Sequence, residues 1–98
     1  MRNYEVMTIH RPEIAEADVR LKVAEIEALL KARGAEVTDS DFWGKRRFAY
    51  EINHIREGFY SVVQFDLEGS PEALEDLDRA LALSDAVVRH KVVRRDNR

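Results

Sequence analysis

Three consecutive cations, Lys45, Arg46 and Arg47, stand inside the stretch WGKRRFAYEI at residues 43–52. Arginine's planar fork matches phosphate oxygens, and a run of such side chains suits a polyanion. Residues 43–56 carry Lys45, Arg46, Arg47 and Arg56 against Glu51, a local charge of +3. Residues 87–98 carry Arg89, Lys91, Arg94, Arg95 and Arg98 against Asp96, a local charge of +4. Residues 66–86 carry seven acids against Arg79, a local charge of −6. The formal net charge of the 98-residue chain is only −3, so segregation allows one cationic surface on a slightly acidic protein. The bland account of the same charges is a set of solvated faces.

Other chemistry finds little support. There is no cysteine, which removes disulfides, thiol catalysis and thiolate metal sites and suits a reducing, cytoplasmic setting. His10, His54 and His90 are far apart in sequence, and His10 and His54 are expected near opposite ends of a sheet. No shared metal site, catalytic residue or cofactor is therefore expected. The serines have no elbow-like context, and no glycine-rich phosphate loop is present. The segment HRPE at residues 10–13 lacks the glycine that a small phosphatase loop wants after a first strand. No apolar run approaches the roughly 20 residues of a membrane helix, and the N-terminal residues contain no signal-peptide pattern.

These residues need elements to hold them. Tyr4–Ile9 is rich in β-branched and aromatic residues and reads as a strand. Pro12 suits a helix start, and Val19, Val23, Ile26 and Leu30 fall on one helical face between about Glu13 and Arg33. Gly34 ends that helix. A long strand covers roughly Glu36 to Ile52, with a bend near Gly44. Residues 53–58 read as a longer connection, and Phe59–Leu67 as the next strand. Ser70 suits an N-cap and Pro71 a first helical position, with Leu74, Leu77 and Leu81 as the buried stripe. Ala86–Arg94 reads as a last strand.

The order βαββαβ, with right-handed crossovers, predicts an α+β, ferredoxin-like sandwich in a single domain over residues 1–98. Its four-stranded antiparallel sheet carries both helices on one face. Alternation puts Val63, Phe65 and Leu67 toward the helices, and Met7, Ile9, Tyr60 and Val62 on the open face as an exposed apolar strip. Such a strip, rimmed with charge, fits a partner surface. The RNA recognition motif shares this topology and wants outward aromatics at alternate positions. In REGFYSVVQF one required aromatic position is Ser61 and a small-residue position is Tyr60, so base stacking across the sheet is not expected.

The chain resembles the bacterial small-subunit ribosomal protein S-six family along nearly its whole length. The opening MRNYEV resembles the family's start. Gly44, Arg46, Arg47, Ala49, Tyr50, Ile52 and Asn53 match its signature, from which Phe48 and Glu51 depart. Asp85, Val87, Arg89, Val92 and Val93 match its final strand. The resemblance implies a structural component of the small ribosomal subunit, not an enzyme. It implies binding to the central domain of 16S ribosomal RNA in a heterodimer with ribosomal protein S-eighteen, among other small-subunit components. On that reading Arg2, Lys45, Arg46, Arg47, Arg56, Arg89 and Lys91 are candidate RNA contacts. Met7, Ile9, Tyr60 and Val62 are candidate contacts for the protein partner. The competing reading is a non-ribosomal binding or regulatory module that uses the open sheet face and has no need of the arginine cluster.

Overall fold

Side chains of period two decide the centre of the sheet. Strand β1 (Arg2–His10) lies against β3 (Ile55–Leu67), with Val6 opposite Val63, Thr8 opposite Ser61 and Tyr4 opposite Phe65. These residues share one face, where Phe65 is 0% and Val6 and Val63 are 1% exposed. The Tyr4 and Phe65 rings stack at 5.6 Å. The Thr8 and Ser61 hydroxyls meet at 2.6 Å, which satisfies two polar groups inside the apolar layer. The computed structural model describes residues 2–52, 54–68 and 72–95.

Two helices cover that face. Helix α1 (Glu16–Ala32) buries Val19, Val23, Ile26 and Leu30, the four residues whose spacing marked its apolar stripe. It begins later than Pro12 suggests. Ile14 N–H donates to the Arg11 carbonyl, so residues 11–14 are used in a turn, and extended Ala15 serves as the N-cap. Its C-terminus closes as a Schellman motif: Ala35 N–H donates to the Leu30 carbonyl and Gly34 N–H to that of Lys31. Gly34, at φ +90°, supplies the left-handed residue that this motif needs. Helix α2 (Glu72–Leu83) buries Ala73, Leu77 and Leu81, while Leu74 is only partly buried at the margin of the core. The Ser70 and Pro71 cap lies outside the described residues.

The sheet order is β2-β3-β1-β4, with every pair antiparallel, so β2 (Glu36–Ile52) and β4 (Val87–Arg94) form the edges. The expected ferredoxin-like sandwich is present. Its β2–β3 connection is shorter than expected. Ile52 pairs with Ile55, so residues 55–58 belong to β3 rather than to a loop. His54, at φ +66°, adopts the left-handed conformation that tight hairpins require. The extended hairpin also brings His54 to the same end of the sheet as His10, which lies opposite Phe59. The expectation of opposite ends is thereby corrected, because antiparallel pairing sets the end of β1 beside the start of β3.

Two close approaches at that end limit substitution. A Cβ on Gly58 would lie 2.7 Å from the His10 carbonyl oxygen and 2.7 Å from Ile9 Cγ2. The backbone atom cannot rotate away, so Gly58→Ala should lower unfolding stability by about 1–3 kcal/mol in urea denaturation. His10 itself is 1% exposed. Burial, aided by the Lys22 charge, pushes its imidazole down from 6.5 to about 4. The fold thus favours neutral His10, and the unfolded chain binds its proton more readily. That contribution is complete above about pH 6.5 and is lost as pH falls toward about 4, up to about 3 kcal/mol in all. Denaturation midpoints measured across this range should fall for the native sequence and fall less steeply for His10→Leu.

Candidate nucleic-acid interface

The basic run is aimed by two irregularities in β2. Pairing with β3 slips between Val37 and Asp39, and again between Phe42 and Gly44. At the second slip Gly44 takes φ +85°, which bends the strand at the expected place. Strand alternation sends the neighbouring rings of Phe42 and Trp43 to opposite sides. Phe42 stacks on Phe59 at 6.1 Å, with the Arg20 guanidinium of α1 4.2 Å above it, on the helix side. Trp43 stacks on Tyr60 at 6.1 Å with an interplanar angle of 3°, on the open side. Trp43 Nε1–H donates to Asp41 Oδ2 at 2.9 Å, which fixes the ring's direction.

The three cations then diverge. Lys45 lies opposite Phe59, and its Nζ sits 5.2 Å from that ring's centroid, on the helix side. Arg46 lies opposite Gly58, and its guanidinium sits 5.9 Å from the Trp43 ring, on the open side. Arg46 Nε–H also donates to the Trp43 carbonyl at 3.3 Å. Arg47 lies opposite Glu57, and alternation turns it back to the helix side. All three are exposed. One edge therefore offers charge to both sides.

The far edge adds a second group. Arg89 lies opposite Ile9 and Lys91 opposite Met7, so both stand exposed on the open face. Between them His90 faces the helices, where its Nε2 lies 2.7 Å from Asp78 Oδ1 of α2. The register yields a row Gly44–Tyr60–Ile9–Arg89 and a neighbouring row Asp41–Val62–Met7–Lys91. Arg46 is one alternation step beyond the first row, three strand spacings from β4, or about 14 Å across. Arg56 shares this end of the sheet, held 3.0 Å from Glu51. Arg47, Arg89 and Lys91 carry no ion pair among the described residues.

Arg2 does not join this group. It lies opposite Leu67, while Arg46 lies opposite Gly58. Nine residues of extended chain separate the two levels, about 30 Å. Paired with Leu67, Arg2 also belongs to the helix side, and the open face at the intervening levels is acidic, with Asp39 opposite Gln64 and Gln64 opposite Glu5. Glu5 lies 3.5 Å from Arg95.

The apolar strip needs a correction. Met7, Ile9, Tyr60 and Val62 do line the open face, but Ile9 is 2% and Val62 7% exposed, and Met7 and Tyr60 are half-buried. Rings arriving from β2 cover Tyr60 and Ile9. Trp43 lies flat on Tyr60, Phe48 meets Tyr60 edge-on at 5.8 Å, and Phe48 Cζ reaches into the space above Gly58 beside Ile9. The open face thus presents a small aromatic platform. Phe48 anchors the hairpin from this side, whereas Tyr50 is 84% exposed. The Ile52 side chain lies outside the described residues. Reading strand alternation straight through the slip at Gly44 hides the platform; the Trp-Gly pair next to the basic run is its sequence signal.

Ser61, the required aromatic position, and Phe59, two residues before it, both face the helices and are buried. The chain therefore lacks the outward pair of β3 rings that an RNA recognition motif uses.

The family model described as Ribosomal protein S6 matches residues 3–94. The chain is 48% identical over 94 residues to small ribosomal subunit protein bS6 of Desulforamulus reducens, covering 96% of this chain and 97% of that one. It is 45% identical over 96 residues to the protein of the same name from Carboxydothermus hydrogenoformans, covering 98% of each. The crystal structure of 30S ribosomal protein S6 from Thermotoga maritima superposes with a TM-score of 0.90 at 28% identity, over 96% of this chain and 87% of that one. The C-terminal domain of the MgtC protein from Mycobacterium tuberculosis shares the fold, with a TM-score of 0.64 at 20% identity over 96% of this chain and 87% of that one.

Platform and cations should separate in a stability measurement. Tyr60→Ala removes the ring on which both Trp43 and Phe48 rest, and should cost about 2–4 kcal/mol in chemical denaturation. Arg46→Ala combined with Arg47→Ala should stay within about 0.5 kcal/mol of the native value, because both side chains are exposed.

Proposed function

The chain belongs to the ribosomal protein S6 family, and from that membership we propose that it binds the central domain of 16S ribosomal RNA jointly with ribosomal protein S-eighteen. It is a structural constituent of the small ribosomal subunit and not an enzyme. As such it associates with ribosomal RNA and with other small-subunit proteins, in the cytoplasm.

One observation carries the finer reading. Exposed arginines and a lysine frame both edges of an aromatic platform at one end of the open face. Phosphate contacts position a protein on folded RNA and give it a salt-dependent affinity. Arg46, Arg47, Arg56, Arg89 and Lys91 are assigned to that role, with Lys45 beside them on the helix side. Arg2 serves as a separate contact at the other end of the sheet. Met7 and Tyr60 are the accessible parts of the surface assigned to the protein partner. Ile9 and Val62 act there as the buried support beneath them. The composite of two proteins then offers RNA a wider cationic face than either offers alone.

Affinity for small-subunit RNA, measured with and without the S-eighteen protein across a salt series, tests this. Binding should be weak alone and tight in combination. Arg46→Ala with Arg47→Ala should weaken the joint complex and flatten its log–log salt slope by about 2. Unchanged joint binding by that variant overturns the assignment of these contacts, and absence of RNA binding in both settings overturns the proposed function.

A further inference from the structure

The open face carries its charges in two opposed bands. Along the β2 edge Glu36, Asp39 and Asp41 lie opposite Asp66, Gln64 and Val62. Along the β4 edge Arg89, Lys91 and Val93 lie opposite Ile9, Met7 and Glu5, and Arg95 N–H donates to the Asn3 carbonyl. Glu36, Asp39, Asp41, Arg89, Lys91 and Arg95 are all exposed. The two bands run level with one another. Asp41 shares its level with Lys91, Glu36 with Arg95, and Trp43, stacked on Tyr60, with Arg89. Two strands lie between the bands, about 14 Å of sheet, so these charges cannot meet within one chain.

A second copy can join them. We propose that two copies of this chain pair open face to open face, with Asp41 of each against Lys91 of the other. The two-fold axis runs parallel to the strands, over the seam of β1 and β3. It sets β4 of one copy above β2 of the other with every level unchanged. Trp43 then meets Arg89 of the other copy as a cation–π pair, and Val62 and Tyr60 meet Met7 and Ile9. Each contact occurs twice, as a two-fold interface requires. Sheets packed face to face stand about 10 Å apart, which a lysine spans above a short aspartate. A two-fold axis across the strands instead lays β4 on its own copy and sets cation against cation. The patch is about 20 Å on each side, short of the roughly 800 Å² per partner of a standard interface, so the dimer is weak and concentration-dependent. It covers Met7, Arg89 and Lys91, so it excludes the RNA and S-eighteen contacts proposed above and belongs to the free chain.

Analytical ultracentrifugation of the chain alone, from about 10 μM to about 1 mM, tests this without bearing on the ribosomal reading. The native mass should rise from 11.4 kDa toward twice that value with concentration. Asp41→Lys and Lys91→Asp should each weaken association about tenfold. An equimolar mixture of the two variants should restore it, since every pair across the axis is again of opposite sign. A native chain that stays monomeric at the highest concentration overturns the proposal. Native association by either variant overturns it too, as does a mixture of folded variants that stays dissociated. Amide NMR shifts on concentrating the native chain need no variant. They should cluster at Met7, Val62 and Lys91, and shifts confined to the helices overturn the proposal.

Discussion

Everything on the open face depends on the apolar layer beneath it. Val6, Val63 and Phe65 are sealed against Val23, Leu30 and Leu77 of the two helices. A slip of one residue in β3 against β1 would turn Val63 and Phe65 outward and put Gln64 inside. The buried face therefore pins the register. Once it is pinned, Arg89 and Lys91 have no choice of side, because they pair with Ile9 and Met7 of the same central strand. Core packing aims the cations, although no cation takes part in it.

The edge strand β2 escapes this discipline at its slips, and the one at Gly44 matters most for the open face. Its slip at Gly44 resets which side each residue faces, and places Trp43 and Arg46 together on the open face while Phe42 and Lys45 go to the helix side. The same irregularity bends a 17-residue edge, which discourages unwanted pairing with other chains. It also delivers the rings that pack on Tyr60 and beside Ile9. A surface that would otherwise be a flat apolar strip becomes a platform with a cationic margin. That combination fits recognition of folded RNA through phosphates and shape better than stacking of single-stranded bases.

Charge segregation completes the picture. Glu72, Glu75, Asp76 and Asp78 sit on α2, and Glu36, Asp39 and Asp41 along the first half of β2, away from the Arg46 end of the sheet. A formal net charge of −3 therefore says little about the local field, since screening confines each patch to its neighbourhood, about 8–10 Å. Arg2 illustrates the limit. It belongs to the cationic inventory of the sequence but stands about 30 Å of strand away from Arg46, so it acts as a separate contact.

Much of this protein was legible without coordinates. Apolar spacing at Val19, Val23, Ile26 and Leu30 and alternation along Val63, Phe65 and Leu67 determined the elements and their buried sides, because those periods reflect local geometry. The signature around Gly44–Asn53 determined the family. Tertiary structure alone decided the rest: that residues 55–58 extend a strand, that Ile9 and Val62 are covered, that Tyr50 is free, and that Arg2 stands apart. Each of these turns on a slip in pairing or on contact between distant strands. Side-chain period carries no record of either, since one extra residue in a bulge reverses every face that follows it.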